Sequence, residues 1–202
     1  MKFSIQYIRE QFDFWANGSL LTVAERDFLK IFNEALTNEN ETQLKDFFRF
    51  WDDREERLSI DKLARNYVAY HRGLKFGFTK ISFDDYGWLK NEDWAKKEEI
   101  EFKAKNSYLT NKITLGKGQN GMWGYGLHYG SAFSGGAFGL CVHYNIFDSY
   151  DKALEVALKD ILNRINRENP NVNAELKEII KQIQYRLTAI TKIDENNQLS
   201  IF

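Results

Sequence analysis

The sequence predicts an α+β protein, in which an N-terminal helical unit is followed by a small antiparallel three- to four-stranded sheet packed by two C-terminal helices. Three observations carry that prediction. Apolar residues recur at helical spacing as far as Gly73, nine of the thirteen glycines crowd between Gly116 and Gly139 among aromatic residues, and helical spacing returns after Ser149. The expected divisions are a helical unit at 1–73, a strand and charged connector at 74–111, a β-β-β-α-α unit at 112–193, and a frayed tail at 194–202.

The first helix is a short one carrying Ile8, Phe12 and Trp15 and ended by Asn17-Gly18. The second begins at Thr22, where Glu25 three residues on completes a capping-box pair, and it sets Ala24, Phe28, Ile31, Phe32, Ala35 and Leu36 in register. Asn40 and Gln43 open a third, whose Leu44, Phe47, Phe48 and Trp51 form one stripe and whose end, Asp52 to Arg57, reads as a solvated charged run. A fourth runs from about Ser59 with Leu63, Tyr67 and Tyr70 on one side. Gly73 suits a left-handed cap there.

Beyond Gly73 the period changes. Leu74, Phe76 and Phe78 alternate with Lys75, Gly77 and Thr79, the two-residue repeat of a strand with one buried face. Residues 91 to 106 are charged and fit either a helix carrying Trp94 or a solvated connector. Lys112 to Leu115 then reads as a strand, Gly116 to Gly121 as a turn, Met122 to Tyr129 as an aromatic strand, and Leu140 to Ile146 as a third strand after a turn from Ser131 to Gly136. Asp148 or Ser149 caps a helix with Ala153, Leu154, Ala157, Leu158, Ile161 and Ile165 on one face. Asn169-Pro170 ends it, and a last helix from near Asn173 aligns Leu176, Ile179, Ile180, Ile183, Leu187 and Ile190.

Composition excludes several classes. With 43% apolar residues the chain is not disordered, its net charge of −1 is not that of a globally basic nucleic-acid binder, and its single cysteine allows no internal disulfide. The N-terminus lacks a continuous apolar run and no stretch reads as a membrane span, so a cytoplasmic protein with no membrane partner is expected.

Residues 112 to 147 form the one strongly biased segment, with two lysines, no acidic residue, seven aromatics and two of the three histidines. A phosphate-cradling loop needs glycines just before a helix N-terminus, whereas these lead into strands. The segment therefore reads either as a twisted hairpin whose glycines admit close backbone approach, or as a recognition surface. In the second reading Trp123, Tyr125 and Tyr129 share one strand face with Leu127 while His128 points the other way, and Lys112, Lys117, His128, Phe133 and Phe138 complete the candidate binding set. Cys141 and His143 would share a strand face and could form a nucleophilic pair, or a metal site with His128, but the spacing matches no established motif. No catalytic residue, metal or cofactor is assigned. Asp52-Asp53, Asp84-Asp85 and Glu98-Glu99 read as solvated neighbours, since adjacent side chains diverge.

The stretch from Lys112 to Ile161 resembles a small module of uncharacterised phage, prophage and plasmid proteins, on the strength of Gly135-Gly136, Phe147, Ser149, Ala153, Leu154 and Ala157. Tyr150-Asp151-Lys152 stands where that module usually has an arginine and two glutamates. The resemblance implies a mobile-element origin and no catalytic residue. If residues 91 to 106 were helical, the order helix, three strands, helix also looks like a double-stranded RNA-binding domain, although the start of the helix after the strands has one lysine beside an aspartate rather than a basic cluster. The expected function is a non-enzymatic accessory protein that binds a host protein or ribonucleoprotein complex, in the manner of an anti-CRISPR inhibitor of a defence nuclease. The alternatives are an RNA- or DNA-binding protein using the same sheet and a cysteine-dependent hydrolase.

Overall fold

A computed structural model describes residues 4–16, 22–90, 93–105, 110–130, 135–143, 145–168 and 174–199, with the side chains of 14–16 and 191–199 left aside. The fold is α+β, with N-terminal helices, then an antiparallel sheet, then two helices. The chain divides into two units, one of residues 1–74 and 78–92 and the other of 75–77 and 93–202.

The first unit holds α1 (Ile5–Ala16), α2 (Val23–Thr37), α3 (Glu41–Phe48) and α4 (Ile60–Leu74). Their starts follow the expected chemistry. Thr22 and Glu25 close a reciprocal capping box, Asn40 accepts from the Gln43 amide at 3.1 Å, and Ser59 accepts from the Lys62 amide at 3.3 Å. The apolar stripes meet in an aromatic core in which Phe28 lies 4.7 Å from Tyr67 and 5.5 Å from Phe32, ring centroid to ring centroid. Phe28 and Phe32 are buried, and each such side chain stabilises the fold by about 2 to 3 kcal/mol.

Two expectations for this unit are corrected. The alternation of Leu74, Phe76 and Phe78 is not a strand, because α4 continues through Leu74 and the chain then turns, its left-handed residue being Gly77 (φ 80°) rather than Gly73. Nor is Asp52 to Arg57 wholly solvated. Asp52 is buried, and the Arg54 guanidinium grips its carboxylate at 2.6 and 2.9 Å, which holds the Asp52 pKa below its ordinary value.

The second unit is a four-stranded antiparallel meander, β1 (Lys96–Lys103), β2 (Thr110–Lys117), β3 (Trp123–Gly130) and β4 (Gly135–Phe138), in that spatial order. It is followed by α5 (Tyr150–Glu168) and α6 (Ala174–Leu199). Ser149 opens α5, accepting from the Lys152 amide at 3.3 Å. The inner sheet face, bearing Ile100, Phe102, Ile113, Leu115, Trp123, Tyr125, Leu127 and Tyr129, packs with Ala153, Leu154, Ala157, Leu158, Ile161 and Ile165 of α5 and with Leu176, Ile179 and Ile183 of α6.

Here three expectations change. Residues 96 to 103 of the charged connector are a strand, so the order is not that of a double-stranded RNA-binding domain. The last strand is Gly135–Phe138, and the described residues of 140 to 146 are irregular; Phe147, just after them, bridges Trp123. Finally, α6 runs on through Leu199 where a frayed tail was expected, its side chains from 191 lying outside the description. Trp15, Asn17-Gly18, Ser131 to Ser134, Tyr144 and Asn169-Pro170 lie outside the described residues or side chains.

Candidate functional site

Strand alternation assigns the sequence-predicted binding residues to opposite sheet faces. Trp123, Tyr125 and Tyr129 do share a face with Leu127, but it is the face that α5 and α6 cover, and the three rings are 7%, 5% and 8% exposed. As a free aromatic platform that face is withdrawn: the rings are core.

Each ring also has a defined partner. Trp123 meets Tyr150 edge to face at 5.1 Å, and the Lys117 ammonium lies 5.9 Å from the Trp123 ring, its cross-strand neighbour. The Tyr125 hydroxyl donates to Asp160 at 3.0 Å, and Asp160 in turn accepts from Arg164 at 2.8 Å. The Arg164 guanidinium lies over Tyr129 at 5.4 Å and half-buried Phe138 at 5.1 Å, and its bonds to Asp160 and Tyr129 raise its pKa. Where α5 begins, the Tyr150 hydroxyl donates to Glu98 of β1 at 2.7 Å. Burial, with the neighbouring carboxylate, pushes the Tyr150 phenol up to about 12, and its hydrogen bond lowers the Glu98 pKa. These contacts are structural ties between helix and sheet.

The outer face is different at its two ends. At one end the paired Gly116 and Gly124 leave room for Trp94 and Phe76, whose rings meet edge to face at 5.0 Å. A Cβ on Gly116 would sit 2.7 Å from Trp94, and one on Gly124 would sit 3.3 Å from Phe76. The glycine bias of the segment thus serves the bland purpose, close approach of rings and backbone.

At the other end Glu101, Lys112, His128 and Ala137 form one cross-strand row. Glu101, Lys112 and His128, with Glu99 and Thr110, border an open depression of about 500 Å³. Lys112 donates to Glu99 at 2.9 Å, and His128 Nδ1 lies 3.1 Å from the Thr110 carbonyl oxygen. Of the predicted set, Lys112 and His128 are brought together here. Lys117 stands at the far end of β2, and Phe133 lies outside the described residues.

Sequence reasoning missed Glu99, Glu101 and Thr110. The signal was present in Ile100 and Phe102 alternating with acidic residues, but the surrounding charge masked it. The arrangement offers donors and acceptors of both signs. Its two carboxylates beside one lysine disfavour phosphate and favour a mixed polar partner.

Cys141 is half-buried and His143 exposed on an irregular segment, so strand alternation does not place them on one face. Among the described residues no group of three or more His, Cys, Asp or Glu is arranged to hold a metal ion, and no helix is long and apolar enough to cross a membrane. No family model matches the chain, and comparison with curated proteins and with solved structures finds no significant match.

Proposed function

We propose that the chain is a non-enzymatic accessory protein of a mobile element that binds a host protein or the protein part of a ribonucleoprotein, with a defence nuclease complex as the partner class. The observation that carries the binding part of this reading is the open outer-face depression, where Lys112 and His128 stand in one row with Glu101. A surface of paired opposite charges suits a protein partner, which can present complementary charges in register. The mobile-element part rests on the resemblance of residues 112 to 162.

The test is a titration of a purified guide-loaded nuclease with the protein, reading target cleavage. A binder inhibits with a stoichiometric endpoint, and Lys112→Glu should weaken inhibition at least tenfold while leaving the thermal midpoint in place. Cys141→Ser should inhibit as the wild type does. Inhibition at far below stoichiometric amounts, abolished by Cys141→Ser, would favour the hydrolase instead; no inhibition of any nuclease tried would remove the defence-complex reading.

A further inference from the structure

We draw no further inference here: the strongest candidate, the open depression on the outer sheet face bordered by Glu101, Lys112 and His128, belongs to the site already described, and nothing in the structure shows which group of a partner would enter it.

Discussion

At the scale of single residues, buried polar groups show how completely this chain satisfies its backbone. Asn66 is 2% exposed and donates at 3.0 Å to the carbonyls of Phe50 and Gly87 while accepting at 2.9 Å from the Leu89 amide. One side chain on α4 thereby fixes both the chain after α3 and the hairpin around the Phe83–Leu89 bridge. Asn66→Ala would leave three backbone groups without those partners, at about 1 to 3 kcal/mol for each one that water does not reach, so a loss of about 3 kcal/mol is expected. Urea denaturation followed by circular dichroism measures it. A loss below about 1 kcal/mol would mean that water replaces the amide. Asn111 plays the same part in the second unit, exchanging two hydrogen bonds with Gly130 where the β2–β3 ladder ends. Nothing in the sequence distinguishes these two asparagines from the chain's other asparagines, because their importance lies in which distant backbone they meet.

At the scale of elements, legibility followed the strength of the local signal. The helices were readable because caps and the 3.6-residue period are written within each segment: Thr22 with Glu25, Asn40 with Gln43 and Ser149 before Tyr150 all cap as expected. The sheet edges were not. In β1 the inward positions include Glu98, whose carboxylate is tied to the Tyr150 hydroxyl, so only Ile100 and Phe102 mark the buried face and the segment reads as a connector. β4 is Gly-Gly-Ala-Phe, which lacks strand propensity and is held by its pairing with β3, whereas the apolar run after it looked like the better strand. That pairing makes a prediction about glycine. A Cβ on Gly126 would strike backbone atoms of Gly139, at 2.6 Å, and of Leu140, which a side-chain rotation cannot relieve. Gly126→Ala should therefore cost about 2 to 3 kcal/mol through forced backbone shifts. Gly139→Ala is the control, since nothing lies within 4 Å of its Cβ, and it should change the thermal midpoint little. Equal tolerance of the two would show that the sheet can yield at β3.

At the scale of the whole molecule, the question is whether the aromatic, acid-free segment makes the protein a nucleic-acid binder. The sequence placed its rings correctly on one face but carried no information about what covers that face, because covering is decided by helices dozens of residues later. With Trp123, Tyr125 and Tyr129 under α5 and α6, base stacking on them would require separating helix from sheet and exposing the core around Leu158 and Ile161. The open side of the sheet offers Lys112 already paired with Glu99, and the chain as a whole balances 28 Lys and Arg against 29 Asp and Glu. Affinity for RNA draws heavily on phosphate neutralisation, with roughly 0.7 of a counterion released per contact on single strands. The expected result of titrating a labelled single-stranded RNA with this protein at low salt is no saturable binding, and Lys112→Glu should change nothing. Saturable binding whose logarithm falls steeply with the logarithm of salt concentration would reverse the argument. It would mean that cations gather on a face other than the one bearing Lys112, and the RNA-binding alternative would then displace the protein-partner reading.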